Sequence, residues 1–250
     1  LSIIDHIPLS ELVDFIDWTP FFQAWELAGR FPRILEDEVV GEEATKLYKD
    51  ARELLQQIVS QKQLRARAVY GLYPANSRDD DIVLYSSDKR DEELMVLHHL
   101  RQQNEKPPGK PNQSLADYIA PESSGLKDYL GAFAVTAGIG LDEIVQKFEG
   151  QLDDYSAIMA KALADRLAEA AAEWLHLKVR SDDWGYGADE QLDNEALIRE
   201  SYQGIRPAPG YPACPDHTEK ALLWQLIDPT ANAGISLTES YAMLPMAAVS

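Results

Sequence analysis

Helix-like and strand-like segments follow one another in blocks along this chain and do not alternate regularly. Two helical stretches come first, at residues 9–27 and 41–61, and two short β-branched stretches follow at 66–72 and 81–85. A further strand-like run covers residues 129–140 and is rich in small residues. Since regular alternation of strands and helices is typical of parallel doubly wound sheets, the block order predicts an α+β fold with a mostly antiparallel sheet.

Local residue patterns predict several boundaries within this fold. Pro20 breaks the first helical stretch and fits the start of a new helix, which Asp17 or Thr19 would cap. Residues 73–80, YPANSRDD, predict a turn-rich linker between the two β-branched stretches. Residues 94–103, LMVLHHLRQQ, are compatible with either a strand or a helix.

The C-terminal third of the chain carries three further patterns. A short acidic helix is predicted near residues 192–200. Asp216 and Glu219 have the spacing of a capping box, which predicts that a last helix begins at Asp216. Residues 235–250 have the pattern of a strand followed by the beginning of a return strand.

The longest helical pattern covers residues 153–179, and its polar stripe consists of Asp165, Glu169, Glu173 and His176. This stripe is compatible with a solvated helix face and with a wall that binds a cationic group. Glu173 and His176 also have the spacing of half a ferritin-like di-iron motif. Because a second such pair is missing from the sequence, the pattern does not predict a metal site.

Residues 206–212, RPAPGYP, contain three prolines and one glycine, which together predict a rigid turn. Such a turn can present Arg206 and the backbone groups of Ala208 and Gly210 to a ligand with little loss of entropy. Arginine is suited to binding a carboxylate, and the ring of Tyr211 can cover an apolar or cationic group. The pattern is equally compatible with a structural loop in which Arg206 pairs with a local carboxylate.

Charge and cysteine content narrow the classes of function. The chain has 23 Lys and Arg against 42 Asp and Glu, and its formal net charge of -19 disfavours binding to nucleic acid or to an anionic membrane. Cys214 is the only cysteine, so neither an internal disulfide nor a thiolate zinc site is predicted, and a cytoplasmic location is favoured. The sequence has no GxGxxG motif, no phosphate-binding loop and no nucleophile elbow, which favours a binding domain over a self-contained catalyst.

Eight segments follow one another in order over nearly the whole chain. They are IDWTPFF (16–22), FPRILEDEVVGEEA (31–44), GLYPAN (71–76), HHLRQQ (98–103), DYLGAFAVTAG (128–138), DDYSAIMAKALADRLAEAAAEWLH (153–176), GIRPAPGYPACPDHTEK (204–220) and LTESYAMLPMAAVS (237–250). Together these segments resemble the activation domain of cobalamin-dependent methionine synthase, and the block RPAPGYPACPDHTEK is the most specific of them.

This resemblance implies a C-shaped single domain, residues 1–250, with a twisted antiparallel sheet flanked by helices. It implies binding of S-adenosylmethionine and support for the reductive methylation of cob(II)alamin to methylcobalamin. The implied partners are the cobalamin-binding module of the same enzyme and flavodoxin or a flavoprotein reductase, and zinc would belong to another module. The parent would be a methyltransferase of methionine biosynthesis, whereas this chain alone would be a monomer without turnover.

Roles for individual residues also follow from the resemblance. Arg206 would hold the methionine carboxylate of the ligand, Ala208 would supply backbone contacts, and Tyr211 would pack in the site. The first residue, Leu1, and the apolar C-terminal end suggest an excised piece of a longer protein. The family continues past Ser250 with an aromatic-rich strand and a terminal helix, so the C-terminal part of the domain is expected to be truncated.

Five further residues are matched with less specific roles. Asp17 corresponds to a ligand contact of the family, and Glu169 and Glu200 correspond to acidic residues near the bound ligand. Asp165 would contact the displaced lower-ligand histidine of the cobalamin module, and His217 would lie near the corrin face. The main alternative from another class is an acidic docking module that binds a basic protein and no small ligand.

Overall fold

A computed structural model describes all residues from Leu1 to Ser250 and has an α+β architecture. The strands are β1 (Ser2–Ile7), β2 (Arg65–Arg78), β3 (Asp81–Tyr85), β4 (Glu93–His98), β5 (Asp128–Ile139), β6 (Ser236–Leu237), β7 (Met243–Leu244) and β8 (Ala248–Val249). The helices are α1 (Leu9–Leu12), α2 (Thr19–Ala24), α3 (Gly41–Ser60), α4 (Leu141–Glu149), α5 (Asp154–Lys178), α6 (Asn194–Ile198), α7 (Glu219–Ile227) and α8 (Pro229–Ala233). Helix α5 continues into a π-helical turn, Val179–Asp183.

The main sheet has six strands in the order β4-β3-β2-β5-β8, and β1 pairs with β2 outside this path. All pairs of named strands are antiparallel. The long strand β2 is central to the sheet, and its register with β5 runs from Arg65 opposite Ile139 to Ala75 opposite Asp128. The predicted antiparallel α+β fold is therefore confirmed.

Alternate residues of β2 and β5 contribute to hydrophobic clusters on the two faces of the sheet. Ala68 and Val135 belong to the main core, which includes the buried sides of α3 and α5. Val69 and Ala134 belong to a smaller cluster with Ile227 at the end of α7. This alternation follows from the two-residue period of a strand and leaves the sheet covered by helices on both faces.

The structure corrects two local predictions. Residues 73–78 are part of β2, and only the tight turn that follows separates β2 from β3, so the predicted linker is wrong. Pro74 is accommodated because it pairs with Tyr129 of β5, whereas the pairing of β2 with β3 begins one residue later, at Ala75. The predicted capping box is also wrong, because α7 begins at Glu219 and the Asp216 carboxylate accepts a hydrogen bond from the Thr218 backbone amide.

Other predicted elements lie close to their expected positions. Helix α5 begins one residue after Asp153, whose carboxylate caps it by accepting the Ser156 amide. The ambiguous residues 94–103 supply most of β4, and the C-terminal residues form β6 and its return strand β7. None of the helices combines the length and the apolar composition that a membrane span requires.

Candidate functional site

The proline-rich turn after residue 205 is fixed by its own backbone. The Gly210 amide donates to the Cys214 carbonyl at 2.8 Å, and the Cys214 amide donates to the Tyr211 carbonyl at 2.9 Å. Gly210 has a φ of 108°, and a Cβ atom at this position would lie 2.6 Å from Cε1 of His217. A side chain at position 210 would therefore meet both backbone strain and the histidine ring.

The turn is also anchored to the rest of the domain through Cys214. Its buried sulfur lies 3.6 Å from Nδ1 of His99, which follows β4. Burial raises the pKa of the Cys214 thiol to about 11 and lowers the pKa of His99 to about 4. Both groups are therefore neutral near pH 7, and the thiol has the inert character of a structural cysteine.

Arg206 at the start of the turn is paired with a buried carboxylate of α5. Its Nη2 donates to Oε2 of Glu173 at 2.8 Å, and the two side chains are only 16% and 11% exposed. Glu173 is thus not part of a solvated helix face, whereas Asp165 and Glu169 on the same polar stripe are exposed. The helix period brings Glu169 and Glu173 to one side, but only the second lies under the turn.

A buried polar network continues from Glu173 towards the end of α5. Arg180 is fully buried, lies over the Tyr202 ring at 4.1 Å, and its Nε lies 3.3 Å from a carboxylate oxygen of Glu190. Its Nη1 lies 2.8 Å from Nδ1 of His176, and this nitrogen must accept because arginine only donates. Burial and the positive charge of Arg180 lower the pKa of His176 to about 3, so the ring is neutral.

This network explains the half di-iron spacing in the sequence. Glu173 and His176 each bind an arginine, and no group of three or more His, Cys, Asp or Glu residues that could hold a metal ion is present. The spacing places Glu173 against Arg206 and His176 against the ring of Tyr202. Glu173 supplies the counter-charge of the Arg206 guanidinium. The neutral His176 accepts a hydrogen bond from Arg180, whose counter-charge is Glu190.

A cavity of about 200 Å³, the site cavity, lies where the turn, α5, α7 and the C-terminal strand meet. Its charged lining side chains are Glu169, Glu200, Arg206 and Lys220, so two anionic groups face two cationic groups. The remaining lining residues are Phe133, Ala208, Pro209, Tyr211, Met243, Ala248, Val249 and Ser250. Such a mixture of charges in one small cavity suits a zwitterionic group better than a purely cationic or anionic one.

A second and larger cavity of about 510 Å³, the apolar cavity, lies along the sheet and the end of α5. Aromatic residues, among them Tyr129, Trp184 and Tyr186, contribute much of its lining. Phe133 and Arg206 line both cavities, so the two cavities are neighbours.

The structure brings together five of the eight residues singled out from the sequence, namely Glu169, Glu200, Arg206, Ala208 and Tyr211. The other three lie outside both cavities. The Asp17 carboxylate accepts the Thr19 amide at 2.9 Å, and the exposed Asp165 pairs with Arg166. His217 packs against Gly210 behind the turn, where its Nδ1 lies 3.3 Å from Nζ of Lys220.

Lys220 is the one charged lining residue that was not predicted from the sequence as a site residue. It is 7% exposed, its Nζ donates to the Tyr241 carbonyl at 3.1 Å, and burial lowers its pKa. Its place in the HTEK motif beside the turn is the only sequence pattern that points to it. Phe133 and Val249 could not be predicted as lining residues either, because only strand pairing brings β5 and β8 to the turn.

Glu219, at the start of α7, is expected to make the free energy of unfolding depend on pH. Burial raises its pKa to about 7, and its Oε2 is buried without a hydrogen-bond partner. The effects of His98, which lowers this pKa, and of Asp216, which raises it, are smaller than that of burial. Because the folded-state pKa lies above the ordinary value of 4.5, the folded protein holds this proton more tightly. Stability from this group is fully present below about pH 4.5 and is lost as the pH rises through about 7.

Glu219→Gln is therefore expected to raise the free energy of unfolding at pH 8 by about 1–2 kcal/mol, reduced for partial solvent screening. At pH 5 the gain should be much smaller, because the folded protein still holds this proton and the loss of stability has only begun above pH 4.5. Urea unfolding at both pH values measures this difference. Glu239→Gln, at an exposed position, is the control and should give no pH-dependent gain. An equal effect of Glu219→Gln at pH 5 and pH 8 would contradict the interpretation.

Fold and site together have the features of a domain that binds a small zwitterionic ligand beside a rigid proline-rich turn. A family model described as "Vitamin B12 dependent methionine synthase, activation domain" matches residues 8–250. The chain belongs to this family, and the resemblance drawn from the eight sequence segments is confirmed.

A solved structure described as the crystal structure of the MetH reactivation domain bound to AdoHcy is closely similar. The two share 55% sequence identity and superpose with a TM-score of 0.94. The match covers 100% of this chain and 77% of that chain.

Proposed function

We propose that this chain binds S-adenosylmethionine in the site cavity and presents it as the methyl donor that reactivates a cobalamin-dependent methionine synthase. The observation that carries the proposal is the convergence of Arg206 with Glu169 and Glu200 on one small cavity. The related MetH domain was solved with AdoHcy, which is S-adenosylmethionine without its transferable methyl group. Family membership supports the reaction class, and the charge pattern of the cavity supports the ligand class.

The charges suggest an orientation for the ligand. Nη2 of Arg206 is held by Glu173, so Nη1 is free to donate to the methionine carboxylate. Glu169 and Glu200 would favour the ammonium and sulfonium groups on the opposite side. A volume of about 200 Å³ is smaller than the pockets that enclose drug-sized ligands. The cavity would therefore enclose the amino-acid end, with the nucleoside outside it and Tyr211 near the mouth.

The partners of the chain belong to the same proposal. Cobalamin would be held by another module of the parent methyltransferase and would supply the methyl acceptor, while this chain holds and orients the donor. Flavodoxin or a flavoprotein reductase would supply the electron, in the cytoplasm. Residues 1–250 would act as one domain, a monomer without turnover of its own.

Thermal unfolding with a series of ligands tests the proposal. S-adenosylmethionine and S-adenosylhomocysteine at 100 times their dissociation constants should each stabilise the protein by about 2.7 kcal/mol. 5′-Methylthioadenosine, which lacks the amino-acid group, should stabilise it less at equal concentration, and ATP should have no effect. Equal responses to ATP and S-adenosylmethionine would refute a selective site.

An acidic docking module remains the second candidate, because the net charge is -19. It predicts salt-sensitive binding to a basic protein and no thermal response to S-adenosylmethionine. The same unfolding experiment therefore separates the two functions.

A further inference from the structure

Glu173 is a buried carboxylate that lines neither cavity. It is 8% exposed and lies on α5, one helical turn after the cavity residue Glu169. Its side chain reaches the turn only through Arg206, at 2.8 Å between Oε2 and Nη2. A ligand in the site cavity would contact Arg206 and not Glu173.

The hydrogen bonding of this pair leaves one edge of the guanidinium available. Nη2 is the only guanidinium atom of Arg206 that hydrogen-bonds within the protein, and the buried Nε has no partner. Oε1 of Glu173 is also buried without a partner. The single contact with Glu173 therefore orients the guanidinium of Arg206. Nη1 has no protein acceptor that would compete with a ligand.

Burial disfavours the charged form of the Glu173 carboxylate. Burial raises the pKa of Glu173, although the positive charges of Arg206 and Arg180 act in the opposite direction. Buried ion pairs frequently contribute little net stability, because desolvation offsets their attraction. An unpaired Arg side chain has several rotatable bonds, and the ion pair with Glu173 restricts them. Orienting the guanidinium is therefore a function that the ion pair can serve.

We propose that Glu173 is a positioning residue, which holds the guanidinium of Arg206 so that its Nη1 donates to the carboxylate of the bound ligand. This inference rests on the proposed function, because it concerns recognition of the amino-acid end of S-adenosylmethionine. Glu173 acts only through Arg206 and does not touch the ligand. Its removal should therefore affect ligands that have the carboxylate and spare those that lack it.

Calorimetric titration of the whole chain tests this selectivity. Glu173→Gln keeps the shape of the side chain and loses its charge, and it should weaken S-adenosylmethionine binding about tenfold. Binding of 5′-methylthioadenosine should be unchanged, which also shows that the variant is folded. Glu149→Gln, which changes an exposed carboxylate on α4, is the matched control and should bind both ligands normally.

A double variant separates positioning from a general effect on structure. In an Arg206→Ala background, adding Glu173→Gln should cause no further loss of S-adenosylmethionine affinity. A wild-type protein that does not bind S-adenosylmethionine would overturn the proposed function, and this inference with it. Normal S-adenosylmethionine binding by Glu173→Gln, an equal loss for both ligands, or fully additive losses in the double variant would overturn this inference alone.

Discussion

Replacing Arg206 with alanine is expected to weaken S-adenosylmethionine binding by about 1.5–3 kcal/mol, the range for hydrogen bonds to charged groups. This corresponds to a roughly 10- to 150-fold rise in the dissociation constant. The physical reason is that Arg206 lines the site cavity and has Nη1 free for the ligand carboxylate. Isothermal titration at constant salt measures the change.

Two comparisons make this result specific. Arg206→Lys keeps the charge but lacks the planar fork, so it should bind with intermediate affinity. Arg199→Ala removes a 64% exposed arginine from the same part of the chain and should leave binding unchanged. Because Arg206→Ala leaves Glu173 without its partner, urea unfolding must show that the variant is folded. Unchanged affinity in a folded Arg206→Ala protein would exclude Arg206 from the site.

Replacing Arg180 with alanine is expected to give a large loss of stability. Arg180 is 0% exposed and contacts Glu190, His176 and the ring of Tyr202. Its removal would leave Glu190 without its buried counter-charge, and breaking such a pair costs about 3–5 kcal/mol. Since Glu190 is 18% exposed, we expect about 3 kcal/mol, at the lower end of that range.

Urea unfolding at pH 7 measures this loss as a lower midpoint with an unchanged slope. Lys49→Ala removes an ion pair whose side chains are 75% and 62% exposed, so it should change stability by less than about 1 kcal/mol. Ligand affinity should also fall in Arg180→Ala, because residues 199–206 lose their support. A loss similar to that of Lys49→Ala would show that the buried network contributes little.

Much of the fold could be predicted from local patterns. The period of α3 and α5 and the small residues of β5 are local patterns, and they predict these elements without knowledge of distant contacts. Residues 73–78 were not predicted as strand, because Pro74 and its polar neighbours have the composition of a turn. Pairing with β5 outweighs that composition, and pairing is a property of distant residues.

The residues of the site could be predicted only in part from residue patterns. They singled out the rigid turn with Arg206, while the placement of Glu200 near a ligand came from family resemblance alone. Burial of Glu173 under the turn could not be predicted, because its helix face is polar in the sequence and another segment covers it. Lys220 was missed for the same reason, since its burial depends on Tyr241 and the C-terminal residues.

A crystal structure of this chain soaked with S-adenosylmethionine tests the central claim most directly. We expect ligand density in the site cavity, with the methionine carboxylate within hydrogen-bond distance of Nη1 of Arg206 and the sulfonium beside Glu169 or Glu200. Binding of the amino-acid end in the apolar cavity or elsewhere would contradict this placement. Empty cavities at a ligand concentration that saturates a related activation domain would contradict it as well.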